Sequence, residues 1–268
     1  MMRFTDAIGV DSSADPRTWD VPDGWQQGRG AWGGLVVGAM ARAAVDAEPD
    51  PRRRVRTVSA HLFGPTVVGP AQVLVRSVRI GSAMSTWTVD VVDASGEATA
   101  NAVVITGTDR AAELSDAYPG WGLARCPRLP DWQVLPVAPV RPPIGPVFSE
   151  HIEYRVVEGL PFTEGPTRTA GWVRFAEQDA WTADQLLGIV DAWWPCAMPA
   201  LPAPHPMATV AFSAHLLIDP ATIPAGEPLM AEAQMSAAHE GFTSETRRLW
   251  TADGRLAVEN HQSIVVIR

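Results

Sequence analysis

The sequence predicts an α+β protein made of two tandem copies of one unit, each an antiparallel sheet wrapped around a single helix. Three observations carry that prediction. A strand-like segment, TVSAHLF at 57–63, returns as AFSAHLL at 211–217, which sets His61 and His215 154 residues apart. An apolar helical segment precedes each copy of it. A proline-rich stretch, 126–148, separates the two.

The elements follow in order. AWGGLVVGAMARAAVDA (31–47) is apolar almost all round, as a helix enclosed by protein must be. PRRRVR (51–56) connects it to the SAHL strand. A Pro/Gly turn region, PTVVGPAQ, leads to two long β-rich runs, a turn marked by Gly96 and a last run ending NAVVIT. CPRLPDWQVLPVAPVRPPIGPVF (126–148) holds too many prolines for a helix or a central strand and reads as a covalent linker. It divides an N-terminal unit, 1–125, from a C-terminal unit, 149–268.

In the second unit TADQLLGIVDAWW (182–194) opens with a capping box, Thr182 followed three residues later by Gln185. Pro195 ends or kinks that helix. The second SAHL strand, the turn region DPATIPAGEP, two runs, Gly254 and the final HQSIVVI repeat the earlier order. A lone helix buries its whole apolar surface only if its sheet curls around it. Two such sheets hide their open edges by pairing, giving one continuous sheet. This is the geometry of a tandem, or double, hot-dog fold.

Composition narrows the function. The 268 residues suffice for one large domain or two ordinary ones. Net charge is −9 and the pI near 5.1, so the broad basic face of a nucleic-acid or anionic-membrane binder is not expected. MMRFTDAIGV lacks a signal-peptide core, and no stretch has the length and apolarity of a membrane span. Cys126 and Cys196 stand in unrelated contexts, which argues against a disulfide framework or a zinc site. The expectation is a reduced, soluble, cytoplasmic protein. Eleven tryptophans against two tyrosines point to bulky aromatic packing or an apolar pocket.

Several motifs have ordinary explanations. Gly28 to Gly33 spells G-x-G-x-x-G, but without the strand and βαβ unit that dinucleotide binding requires; it reads as the lead-in to the first helix. Gly33 and Gly34 would there offer bare N–H groups to a substrate oxygen. Arg52, Arg53, Arg54 and Arg56 form either a solvated face or a landing site for phosphates. His61 and His215 recur by duplication and read as packing residues. The absence of G-x-S-x-G removes the usual α/β-hydrolase reading.

Chemistry is expected where one copy departs from the other. Thr209 stands where the first copy has Val55, and Gln262, eight residues past Gly254, where it has Val104. Asp191 lies in IVDAWWPCAM (189–198), among Ile189, Val190, Ala192, Trp193 and Trp194, and the first helix has no carboxylate in that region. A carboxylate in such apolar surroundings is costly unless paired, hydrogen-bonded, protonated or used. The three polar departures fall on one helix and two strands of one unit.

At these positions the chain resembles the acyl-CoA thioesterase II family of double hot-dog enzymes. Asp191 shortly before a proline, Thr209 in MATVAFSAHLL and Gln262 eight residues after the DG turn match the family's aspartate, threonine and glutamine. The chain differs from the family in having Val210-Ala211-Phe212 after Thr209, and Ser263-Ile264 after Gln262. The resemblance implies hydrolysis of an acyl-CoA to free acid and CoA by direct water attack, with no metal or other cofactor. Asp191 would orient and deprotonate the water, Thr209 would hold it, and Gln262 would fix it or polarise the thioester carbonyl. Trp193, Trp194 and Met198 would line the acyl tunnel, Arg52, Arg53 and Arg54 would meet the adenosine phosphates, and amides at the helix start would stabilise the oxyanion. The same resemblance implies a homo-oligomer, dimer or higher. The alternatives are a non-catalytic acyl-CoA or lipid-binding protein, and a hydratase or dehydratase, which would need a His–acid pair near the helix.

Overall fold

The structure, a computed structural model, describes residues 2–110, 124–177 and 180–267. The first copy begins with a one-turn helix, α1 (Phe4–Ala7), and strand β1 (Arg17–Val21). A short hairpin, β2 (Gln26–Gln27) and β3 (Gly30–Ala31), leads to helix α2 (Gly33–Ala47). Strands β4 (Arg54–Leu62), β5 (Gly69–Ile80), β6 (Met84–Val92) and β7 (Ala98–Gly107) complete it. The second copy comprises β8 (Ile152–Glu158), β9 (Arg168–Phe175), α3 (Ala183–Val190), β10 (Met207–Leu216), β11 (Leu229–His239), β12 (Phe242–Trp250) and β13 (Leu256–Val266).

The large sheet has 11 strands in the order β1-β5-β6-β7-β4-β10-β13-β12-β11-β9-β8. Apart from the added edge strand β8, the order reads the same from both ends. The two copies join through antiparallel pairing of β4 with β10, where Ser59 lies opposite Ser213 and their hydroxyls stand 3.5 Å apart. Each SAHL strand carries the same bulge, at Arg56 against β7 and at Val210 against β13. A local pseudo-two-fold at Ser59 and Ser213 thus relates the copies, and the expected continuous sheet around central helices is what forms.

Period-two alternation aims one face of every strand at the helices. On β6 the buried side is Ser85, Trp87, Val89 and Val91; on β13 it is Val258, Asn260, Gln262 and Ile264. Helix α2 is buried over most of its surface, and Leu35, Val37 and Met40 are fully enclosed, each contributing roughly 1.5–3 kcal/mol. Helices α2 and α3 cross at glycines. A Cβ at Gly34 would lie 2.7 Å from Gly188 O, and the Phe4 ring covers both Gly38 and Gly188.

Three local expectations need correction. The G-x-G-x-x-G stretch does lead into α2, but as the β2–β3 hairpin, with Gly28 in its turn at φ +67, rather than as irregular chain. His61 and His215 are exposed, not packed. Helix α3 starts with the expected Thr182–Gln185 capping box but ends at Val190, well before Pro195, leaving Asp191 as its C-cap residue. The carbonyls freed there are taken by side chains from the sheet: Arg247 donates to Val190 O and Trp193 O, and Tyr154 donates to Ala192 O.

Residues of the 126–148 stretch cover the outer face of the second half-sheet. Cys126, Leu129, Trp132 and Leu135 pack over Trp172, Met230 and Trp250. Among the described residues no helix is long and apolar enough to cross a membrane.

Candidate active site

Asp191 sits where α3 stops, at φ −90 and ψ −3, with its carboxylate facing the N-terminus of α2 from the other copy. Its Oδ1 accepts from Gln262 Nε2 at 2.8 Å, and the Gly34 N–H is near enough to favour the carboxylate form. Oδ2 faces Gly33, where a Cβ would lie 3.0 Å away. The Trp32 indole donates to the Asp191 main-chain oxygen at 3.3 Å, tying the two helix ends together.

Thr209 and Gln262 reach this point from adjacent strands. Thr209 precedes the β10 bulge, and its hydroxyl donates to Gln262 Oε1 at 2.9 Å. The orientation of each amide follows from its neighbours. Ser213 O can only accept, so the Asn260 NH₂ points to it, at 2.9 Å. Asn260 Oδ1 then accepts from Gln262 Nε2 at 3.0 Å, and Gln262 Oε1 is left to face Thr209. The result is one chain of hydrogen bonds, Thr209 to Gln262 to Asp191, pinned from behind by Asn260.

This wiring limits what each group can do. Both Gln262 N–H bonds are committed, to Asp191 and Asn260, so its carboxamide is not free to polarise a carbonyl. Its Oε1 and the Thr209 oxygen retain lone pairs for a water. Gly34, expected to hold a substrate oxygen, also acts on the Asp191 carboxylate through its N–H.

Sequence reasoning missed a buried charged pair beside this chain. Glu245 and Arg247 on β12 lie directly opposite Gln262 and Asn260 on β13. Glu245 is 0% exposed and Arg247 3%. Arg247 Nε donates to Glu245 Oε1 at 2.6 Å, and its Nη1 lies 3.6 Å from Asp191 Oδ1. Glu245 Oε2 accepts from Cys196 N at 2.8 Å. The findable signal was register: the equivalent residues on β6, opposite Val104 and Ala102, are Trp87 and Val89.

Burial pushes the Asp191 carboxyl above its ordinary value of 3.8, against the opposing pull of the Arg247 guanidinium, the Gln262 amide and the Gly34 N–H. Burial also raises the thiol of Cys196, which lies beside Glu245, and so opposes a thiolate nucleophile.

The proposed substrate contacts scatter. Trp193 is a core residue, edge-on to Tyr154 at 5.6 Å; its carbonyl joins the site by accepting from Arg247. Trp194 is half-buried with its indole N–H on Gly159 O, and Met198 is half-buried at the start of a short 3₁₀ turn. The arginines are not at the site. They stand at the start of β4, whereas Thr209, at the start of the antiparallel β10, lies toward the other end of β4. Arg53 is buried in ion pairs with Glu48 and Asp50, Arg54 pairs with Asp109 and Asp219, and Arg52 pairs with Asp50 on the surface. Each is thus paired with an acid of the chain, and of the three Arg52 is the most exposed.

Comparison with known proteins agrees with this architecture. A family model described as the acyl-CoA thioesterase N-terminal domain matches residues 21–108, and one described as the C-terminal domain matches 123–266. No curated protein sequence matches. Among solved structures, a conserved hot-dog protein of unknown function from Alicyclobacillus acidocaldarius superposes with a TM-score of 0.88 at 21% identity, covering 99% of this chain and 98% of that one. A candidate thioesterase II from Thermobifida fusca YX gives 0.82 at 20% identity over 100% and 99% of the two chains. Acyl-CoA thioesterase II TesB2 from Mycobacterium marinum gives 0.76 at 16%, over 98% of each. At these identities the structural likeness establishes the hot-dog fold.

Proposed function

Because the chain belongs to the acyl-CoA thioesterase family, we propose that it hydrolyses an acyl-CoA thioester by direct attack of a water held by Asp191, Thr209 and Gln262. The observation that carries this reading is the hydrogen-bond chain from Thr209 through Gln262 to Asp191, ending against the N-terminus of α2.

Water has two hydrogens to give. One goes to Asp191 Oδ2, the oxygen facing Gly33, and the other to the lone pairs of Thr209 or Gln262 Oε1. The water's own lone pair is then directed at the thioester carbon. As the new C–O bond forms, Asp191 takes the proton and the carbonyl π electrons move to oxygen. The positive end of the α2 dipole, at Gly33, stabilises that oxyanion. Collapse breaks the C–S bond, and the proton on Asp191 returns to the departing CoA sulfur, so the carboxylate is regenerated and no covalent enzyme intermediate forms.

A base must be deprotonated to act. Since burial raises Asp191, hydrolysis should rise with pH through a limb lying above the ordinary carboxylate value of 3.8. The test is thiol release from short-, medium- and long-chain acyl-CoAs by wild type and Asp191→Asn. Turnover by wild type with a loss of about 10²-fold or more in the variant supports the mechanism. Turnover that survives the substitution removes Asp191 from it. Binding of acyl-CoA without any turnover by wild type would make the protein a carrier rather than a hydrolase.

A further inference from the structure

Glu245 and Arg247 are an expensive choice for the fold. A buried ion pair seldom stabilises a protein more than apolar residues of similar size would. The first copy illustrates this, since it builds the equivalent positions from Trp87 and Val89. The architecture therefore does not require charge there.

The difference coincides with another. Aligned on Gly38 and Gly188, which pack under the same Phe4 ring, Asp191 matches Ala41. Helix α2 runs on past Ala41 to Ala47, whereas α3 stops at Val190 and turns. That early stop frees carbonyls, and Arg247 takes two of them, Val190 O at 3.3 Å and Trp193 O at 3.0 Å. Glu245 fixes both ends of the device, accepting from Arg247 Nε at 2.6 Å and from Cys196 N at 2.8 Å. The whole turn from Val190 to Cys196 is thus tied to β12.

We propose that Arg247, held by Glu245, is a positioning residue that fixes this turn and so keeps Asp191 in reach of Gln262, Thr209 and the N-terminus of α2. It rests on the hydrolytic reading above and adds a role to a pair outside the reacting atoms. Charge is part of the role. The titratable groups acting on Asp191 are Arg247 and Glu245 from β12 and Tyr154 from β8, with Cys196 of the turn beside Glu245; β13 presents the Gln262 amide, backed by Asn260, and α2 the N–H of Gly34. Arg247 is the cation of that set and favours the carboxylate form.

The experiment measures kcat, KM and the pH profile of acyl-CoA hydrolysis for wild type, Arg247→Met, Arg247→Lys and the double variant Glu245→Gln/Arg247→Met. The double variant removes the Glu245 charge along with the cation that answered it, so Asp191 is the one carboxylate of the set left without Arg247. That variant carries the test if Arg247→Met does not fold. Expected is a fall in kcat of roughly 10- to 100-fold with KM little changed. The acid limb should move up in Arg247→Met, which loses the cation, and less in the double variant, where loss of the Glu245 charge acts in the opposite direction. Arg247→Lys, which keeps charge but not the fork, should restore the limb more fully than kcat. A folded double variant with wild-type kcat and pH profile would overturn the proposal while leaving the hydrolase reading intact. A double variant that cannot fold would make the pair a structural requirement and overturn it as well. Absence of turnover in wild type would overturn both.

Discussion

The two halves of the sheet share strand order, a bulge in each SAHL strand and a central helix, yet their inner faces are filled differently. Val55, Trp87, Val89, Ala102 and Val104 in the first copy stand where the second has Thr209, Glu245, Arg247, Asn260 and Gln262. Ala41 stands where the second copy has Asp191. The first set is what a fold needs to bury a helix. The second set carries a desolvation cost that only mutual hydrogen bonding offsets. One copy therefore shows what the scaffold requires, and subtracting it from the other isolates what the scaffold does not. The division is incomplete in one respect: the first copy supplies the N-terminus of α2, with Gly33 and Gly34 against Asp191. The candidate site lies across the copies.

The sharpest way to break this comparison is to give the second copy a residue of the first. Gln262→Val should lower kcat by roughly 10²- to 10³-fold, because it removes the group that joins Thr209 to Asp191 and leaves Asn260 Oδ1 without its donor. Stability should fall as well, by about 1–3 kcal/mol, through those orphaned partners. A kcat within a few-fold of wild type would mean that the polar chain is not the reacting site.

Gly33→Ala tests the contribution of the first copy, with a smaller effect. The added methyl would stand 3.0 Å from Asp191 Oδ2 and 3.1 Å from Leu62 Cδ1, where the water and thioester are proposed to meet. A fall in kcat/KM of about 10-fold is expected. Gly33 is the first residue of α2 and its neighbours here are side-chain atoms that need give only slightly, so the Tm should change little. Loss of stability together with activity would instead point to a packing role for Gly33.

The duplication made much of this legible in advance. SAHL recurs, turn glycines recur at Gly96 and Gly254, and a capping box marks α3, so topology followed from repetition rather than from any single propensity. Asp191, Thr209 and Gln262 stood out as departures from that repeat. Glu245 and Arg247 did not, because SETRRLW reads locally as a solvated strand face; only the register against Trp87 and Val89 turns it inward. The early end of α3 was hidden for a related reason. Pro195 marks a stop in the sequence, but the donors that end the helix, Arg247 and Tyr154, arrive from distant strands. The pairing of the arginine cluster was legible only in part: Glu48 and Asp50 stand just before Arg52 and Arg53, whereas the partners of Arg54, Asp109 and Asp219, are remote in sequence.

The outer faces of the copies differ too, and there the effect should be on stability alone. Trp172, Met230 and Trp250 correspond to Thr18, Gln72 and Val92, matching by strand register. The apolar trio is covered by the proline-rich stretch, with Trp132 lying between Arg155 at 5.3 Å and Arg174 at 5.4 Å. Both arginines are held by Glu153, and the Trp172 indole donates to Pro130 O at 2.9 Å. Trp132→Ala removes two cation–π contacts and part of an apolar cover, together about 2 kcal/mol. A lower Tm with unchanged kcat and KM is the expected result, because this cover and the Asp191 chain lie on opposite faces of the sheet. A change in kcat at equal folded fraction would show that the outer face communicates with the site through β9, β11 and β12.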